Sequence, residues 1–281
     1  MGKILSIQSH VAFGHVGNAA AVFPLQRMGY EVIAVHTVQF SNHTGYGAWT
    51  GDVFRPEHIQ DILNGLEERG ALDDIDAVLT GYLGEAEIGH IIAKLTDTRD
   101  IPWCCDPVMG DVGRGFFVRE GIPEFFKETA ISRAAIMTPN QFELEFLTGQ
   151  PITTLEEARA ACRTMHRLGV ETILLTSLVH HETQPHEIQM MASHQDGRQY
   201  VTTTPRLHFD IAPNGSGDVT AAFFLGNILR GLALDRALEK TTSAIYGLLE
   251  ATHDRHQREL ALIAAQENFV TTAHPFTAQT L

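Results

Sequence analysis

Short apolar runs alternate with stretches that are apolar at helical spacing along the 281 residues of the chain, and this alternation predicts most of its elements. Lys3-Ile4-Leu5-Ser6-Ile7 and Glu31 to Val38 are runs of the kind that parallel strands buried on both faces require. Between them, Ala19 to Met28 reads as a helix closed by Gly29. The pattern continues with a helix over Pro56 to Arg69, a strand over Ala77 to Thr80 and a helix over Glu85 to Leu95. Strands follow at Trp103 to Asp106 and Ala135 to Thr138, stopped by Pro107 and Pro139. Helices over Gln141 to Leu147 and Leu155 to Leu168 lead into a strand over Thr172 to Thr176. His186 to Ser193 and Gln199 to Thr204 alternate around Asp196-Gly197, a hairpin signal. Long helices over Val219 to Arg230 and Leu234 to Thr252, a helical stretch over Glu259 to Asn268 and a polar tail complete the chain.

Repeated strand–helix alternation implies an α/β fold with a mainly parallel central sheet and helices on both faces. No linker, repeat or low-complexity tract divides the sequence, so a single domain over residues 1–281 is expected. Ligands of such sheets bind at the carboxyl ends of the strands. The polar loops expected there start at Ser9-His10, Asn42-His43-Thr44, Gly81-Tyr82, Asp106 and Asn140.

Composition narrows the function classes. A net charge of −14 argues against non-specific binding to nucleic acid or to an anionic membrane. With no basic leader, long apolar span or small-residue cleavage site, a cytoplasmic protein is expected. Cys104, Cys105 and Cys162 form no C-x-x-C, and buried free thiols are the expectation. Of the fifteen histidines, His180, His181 and His186 cluster in a polar stretch with Pro185, which reads as a solvated loop rather than a metal site.

The most informative motif is Asn214-Gly215-Ser216-Gly217-Asp218, directly before an apolar helix. Glycines let the backbone approach a ligand, and the first-turn amides with the helix dipole favour an anion. A carboxylate in such a cradle repels phosphate unless it serves a second purpose. Accepting a proton from a hydroxyl that attacks the cradled phosphoryl group is such a purpose. An ordinary N-cap is the bland alternative. Asp106-Pro107-Val108-Met109-Gly110-Asp111 adds carboxylates at a strand end, and Thr138-Pro139-Asn140-Gln141-Phe142-Glu143 sets Asn140 and Glu143 three apart. That spacing suits either a hydrated magnesium ion or a capping box.

The glycine–aspartate loop, the Asn-x-x-Glu motif and the α/β alternation resemble the ribokinase-like kinases, a three-layer sandwich. Within them, Gln8-Ser9-His10-Val11, Gly14-His15-Val16-Gly17-Asn18, Thr37 to Thr44 and Gly81-Tyr82-Leu83-Gly84 resemble the pyridoxal kinases of the bacterial PdxY-like type. The resemblance runs from the first strand through the helix after Asp218. It implies transfer of the ATP γ-phosphoryl group to the 5′-hydroxymethyl of pyridoxal, with magnesium, in a homodimer. It leaves a potassium requirement open, along with the preference among B6 vitamers. Asp218 would then be the base, and Gly215, Ser216 and Gly217 the anion hole. Ser9, His43, Thr44, Gly45 and Tyr82 would border the vitamin. Asp106, Thr138, Glu143 and Thr176 would lie along the nucleotide, with Glu143, Asn140 and Asp106 placing the metal, and the loops near Pro205 to Ile211 with the helix from Ser243 are expected to border the adenine.

One departure stands out. Related kinases often carry a basic residue after the strand ending at Thr176-Ser177, and none follows here. Arg114, in the glycine-bearing stretch Asp111 to Phe117 that resembles a lid, is a candidate replacement. Two other readings remain at this stage. A hydroxymethylpyrimidine kinase shares the loop logic but typically has Cys where Asp218 stands. A weakly catalytic pyridoxal-binding protein would use the same pocket without turnover.

Overall fold

The computed structural model describes residues 2–281. In chain order its strands and helices are β1 (Lys3–Phe13), α1 (Asn18–Arg27), β2 (Glu31–Asn42), β3 (Gly51–Val53), α2 (Pro56–Glu68), β4 (Ala77–Thr80), α3 (Ala86–Arg99) and β5 (Trp103–Cys105). A small hairpin of β6 (Gly110–Asp111) and β7 (Gly115–Phe116) precedes α4 (Ile122–Glu128), β8 (Ile136–Met137), α5 (Gln141–Thr148) and α6 (Leu155–Leu168). Then come β9 (Thr172–Leu178), β10 (Glu187–His194), β11 (Gln199–Pro205), α7 (Ser216–Leu229), α8 (Leu234–Asp254) and β12 (Gln279–Thr280).

Ten strands make one sheet in the order β12-β11-β10-β9-β8-β5-β4-β1-β2-β3. The six central strands, from β9 to β2, are parallel, and the antiparallel pairs lie at the two ends. Side chains alternate across the sheet, and two separate cores result. Leu5 and Ile7 of β1 face a core with Ile59, Ile92, Phe126 and Leu144 from α2 to α5. Ile4 faces the opposite core with Leu25, Phe223, Phe224 and Leu238 from α1, α7 and α8. The three-layer sandwich is thus present, and matches the ribokinase-like expectation.

Several boundaries differ from the sequence reading. β1 and β2 run on through Ser9-His10 and Ser41-Asn42, which had read as loop. Their pairing keeps the polar residues extended, but the register slips between Gln8 and His10, a bulge that leaves Ser9 outside the ladder. β9 continues to Leu178, where Gln189 of β10 pairs with it. The stretch 259–268 is not a helix: α8 ends before His256, whose φ of 50° is left-handed, and only Gln266–Phe269 forms a short 3-10 turn. The polar tail returns as an edge strand, with Tyr200 opposite Thr280. Cys104, Cys105 and Cys162 are buried and free as expected, and burial pushes the Cys162 thiol up to about 12. His181 and His186 are exposed as expected, but His180 turns inward and its Nε2 lies 2.9 Å from Gln189 Oε1. Among the described residues no helix is long and apolar enough to cross a membrane.

Candidate active site

The N-terminus of α7 sits at the carboxyl ends of the central strands because the body of that helix is apolar. Nine of its residues, Val219 to Asn227, are buried. The first intrahelical bond runs from Val219 N–H to Gly215 O at 3.1 Å, so the Ser216 and Gly217 amides have no helical acceptor. Gly215 stands before the helix with φ 89°, and a Cβ there would lie 1.8 Å from His15 O. Only glycine fits that turn. The motif thus offers free first-turn amides at the strand ends, the geometry that an anion cradle requires.

Asp218 occupies the first turn of α7. Burial pushes its carboxyl up to about 6, against the opposing effect of hydrogen bonds donated by Gly17 N–H and its own amide. A Cβ on Gly17 would lie 2.2 Å from Ser9 O and 2.4 Å from Ser9 Oγ, so the Ser9 bulge, the Gly17 turn and Asp218 form one packed unit. The position a Cβ would take on Gly81, just after β4, lies 3.3 Å from Asp218 Oδ1 and 2.5 Å from Gln8 Oε1. That Gln8 oxygen is buried and unpartnered, while the amide nitrogen donates to Ser6 Oγ at 2.9 Å.

Asp106 follows β5 and is buried, with Thr138 Oγ1 donating to its Oδ1 at 3.1 Å. Burial raises its pKa first, and the neighbouring charges of Glu143 and Asp218 raise it further. Its Oδ2 lies 3.7 Å from where a Cβ on Gly217 would stand, so it faces the first turn of α7. Asn140 and Glu143 do form the capping box of α5. Asn140 Oδ1 accepts Glu143 N–H at 2.9 Å and Glu143 Oε2 accepts Asn140 N–H at 2.9 Å. Both side chains also reach the loop after β5: Glu143 Oε1 accepts Met109 N–H at 3.1 Å, and Asn140 Nδ2 donates to Gly110 O at 2.8 Å. Burial pushes Glu143 up to about 8 despite the amides of Asn140, Met109 and Gly110.

Beside the cradle lies a cavity of about 430 Å³, bordered by Thr176, Ser216, Gly217, Thr242, Tyr246 and Arg206. Arg206, just after β11, is the one Lys or Arg on this wall; it lies in the 205–211 loop expected from the sequence beside the adenine, though not as the counterpart of the basic residue absent after Thr176. Arg114 instead sits on the β6–β7 hairpin with its guanidinium 5.0 Å from the Phe117 ring. Tyr82, next to Gly81, packs with Val11, Val38 and Phe40, and burial raises its hydroxyl pKa. His43 is buried, whereas Thr44 and Gly45 are exposed on a one-turn 3-10 helix, Thr44–Tyr46. Gly45 approaches the cradle: the position of a Cβ there lies 2.8 Å from Asn214 Nδ2.

The sequence pattern of the phosphomethylpyrimidine kinase family matches residues 26–261. A pyridoxal kinase PdxY of Rubrobacter xylanophilus is 49% identical over 274 residues, which span 95% of this chain and 93% of the relative. One of Deinococcus radiodurans is 48% identical over 99% of this chain and 96% of its own length. The chain belongs to the pyridoxal kinase family. A solved pyridoxal kinase of Leishmania donovani, in complex with ADP and ginkgotoxin, superimposes with a TM-score of 0.92 at 29% identity over the full length of both chains. The matched family pattern is named for the pyrimidine reaction, so it alone does not choose between the two vitamins. The relatives at near-half identity carry the pyridoxal kinase name, and the Deinococcus radiodurans match covers 99% of this chain.

Proposed function

We infer that the protein transfers the γ-phosphoryl group of ATP to the 5′-hydroxymethyl of pyridoxal, giving pyridoxal 5′-phosphate. The observation that carries this reading is Asp218, a carboxylate held by the Gly17 amide at the mouth of an amide cradle. Such a group has no use in a site that only binds phosphate. The pyridoxal kinase relatives, and the ADP complex of the Leishmania donovani enzyme, support the substrate pair.

In the proposed reaction Asp218 takes the proton as the hydroxyl oxygen bonds to the γ-phosphorus and the bond to the β-phosphate bridging oxygen breaks. A carboxylate is a weak base towards an alcohol, so proton transfer is useful only once phosphoryl attack has acidified the hydroxyl. Most of the acceleration then comes from positioning and from the amides of Gly215, Ser216 and Gly217 at the migrating group. Ser9, His43, Thr44, Gly45 and Tyr82 border the ring, and Thr138 and Thr176 flank the nucleotide with Asp106. Magnesium would supply charge neutralisation at the β- and γ-phosphates. Asp106 and Glu143 suit it as partners through water, being buried carboxylates of which Asp106 faces the first turn of α7 and has its proton affinity raised by the charge of Glu143. Asn140 contributes by fixing Glu143.

The testing experiment is ATP-dependent formation of pyridoxal 5′-phosphate with magnesium and potassium present, with hydroxymethylpyrimidine run in parallel. Turnover of pyridoxal well above that of the pyrimidine is expected. Phosphorylation of the pyrimidine alone would reassign the protein, and tight pyridoxal binding without ATP consumption would make it a binding protein. We also propose that the chain works as a homodimer, for which the exposed Phe13 (61%), at the end of β1, and Trp49 (47%), just before the edge strand β3, offer apolar area to cover. Sedimentation at the mass of one chain would overturn that.

A further inference from the structure

Glu259 comes from a segment with no role in the reading above, yet its carboxylate is tied to two loops of the site. Its Oε2 accepts His15 N–H at 2.9 Å. Its Oε1 accepts the Tyr46 hydroxyl at 2.8 Å and lies 2.9 Å from His43 Nε2. The preceding residue grips the same loop, with the Arg258 guanidinium 3.7 Å from the Tyr46 ring centroid and bonded to Gly45 O. The His43 and Tyr46 rings are themselves 4.7 Å apart.

The anchor is rigid. Leu260 is buried in the α1–α7–α8 core, and Ala261 N–H bonds Thr252 Oγ1 of α8 at 3.0 Å. The loop it holds has no core anchor of its own, since Thr44 and Gly45 are exposed and no buried side chain comes from Thr44–Tyr46. The side chain of Glu259 is only 16% exposed. Burial opposes its charge, but hydrogen bonds from Tyr46, His43 and the His15 amide outweigh that and hold the carboxyl below its usual range. An ionised Glu259 accepts a hydrogen bond from His43 Nε2, and the other ring nitrogen is Nδ1. That Nδ1 is buried, unpartnered and next to Gly45. The other end of the clamp reaches the cradle, because His15 O is the atom packed against Gly215.

We propose that Glu259 is a positioning residue which, acting through His15, His43 and Tyr46, holds the 43–46 loop over the vitamin in register with the Gly215–Asp218 cradle. This rests on the functional reading above and adds to it a tie between the vitamin side and the phosphoryl side, supplied from the end of the chain. Glu259→Gln removes the charge and can keep the His15 N–H bond only by turning its NH2 towards His43 Nε2 and the Tyr46 hydroxyl, both of which must then accept instead of donate.

Steady-state kinetics of Glu259→Gln should show the pyridoxal KM raised about tenfold with the ATP KM changed less than about twofold, as expected for loss of one charge-assisted hydrogen bond. Hydrogen exchange at the amides of residues 43–47 should accelerate while the sheet amides stay protected. Gly14→Ala attacks the same contact from the other side, because its Cβ would stand 2.4 Å from Glu259 Oε2 at a backbone φ of 98°. It should give the same split. Unchanged KM values with unchanged loop exchange, or both KM values rising together with general loss of protection, would overturn the proposal. Should the wild type make no pyridoxal 5′-phosphate, the functional reading fails and the exchange of residues 43–47 alone decides the clamp.

Discussion

Replacing Asp218 with asparagine should cost about 10³-fold in kcat, within the range for loss of a general base, while making the ligand-free protein more stable. The two effects share one cause. Burial lifts the carboxyl pKa from 3.8 to about 6, so the folded state resists ionising it. The sign follows from linkage: the folded group holds its proton more tightly than the unfolded one, so the penalty is full above about pH 6 and vanishes below about pH 4. Two pKa steps correspond to at most about 3 kcal/mol at neutral pH. Asparagine keeps an oxygen for the Gly17 amide but carries no charge. Denaturant unfolding at pH 7.5 should therefore favour the variant, and the advantage should disappear at pH 4. The wild-type kcat/KM should fall with unit slope as pH drops through about 6, as protonation removes the base. A variant that retains activity, or that is less stable at pH 7.5, would remove Asp218 from the role assigned to it.

Much of this site was legible because its chemistry lies in short contiguous motifs at strand ends. Gly215 to Asp218, Asp106 and the Asn140–Glu143 pair each announce a turn, a helix start or a buried acid from a few residues. The sheet was legible for a similar reason, since buried parallel strands are runs of apolar residues. What stayed hidden depends on distant partners. Glu259 is 216 residues from His43, and only the return of the chain after α8 joins them. Its flanking Leu260, Ala261 and Leu262 imitate one turn of a helix, yet they are buried by packing on α8 and α1 instead. Gln8 stood in a recognisable block, but nothing local says that its oxygen faces Gly81. The 205–211 loop was expected beside the adenine, but that Arg206, thirty residues beyond Thr176, shares a cavity wall with it follows only from β10 and β11 folding back antiparallel. The Asn140–Glu143 spacing was ambiguous between cap and metal partner. The structure makes the cap explicit, and its reach to Met109 and Gly110 explains how a cap also shapes the loop that carries Asp106.

Gly215→Ala should be the most damaging single-methyl change in the cradle, lowering kcat by about 10²-fold or more, the scale of losing an oxyanion-hole donor. The added Cβ would fall 1.8 Å from His15 O, a backbone atom that cannot swing aside as a flexible side chain could. The φ of 89° adds a left-handed penalty of about 1–2 kcal/mol for any L side chain. Relief requires Gly215 to retreat from His15, and that motion carries the Ser216 and Gly217 amides off the phosphoryl position. It also pulls Asp218 from the Gly17 amide. Gly217→Ala is the matched control. Its Cβ would meet only Asp106 Oδ2, at 3.7 Å, an ordinary contact, and residue 217 is already in helical conformation. Alanine there should gain up to about 1 kcal/mol of helix propensity. Its amide remains in place, so the loss of kcat should stay within about tenfold. If the two variants lose activity equally, room above the helix rather than the turn at Gly215 controls the cradle. If Gly215→Ala is nearly silent in both kcat and melting temperature, the packing of His15 on Gly215 does not hold the anion hole in place.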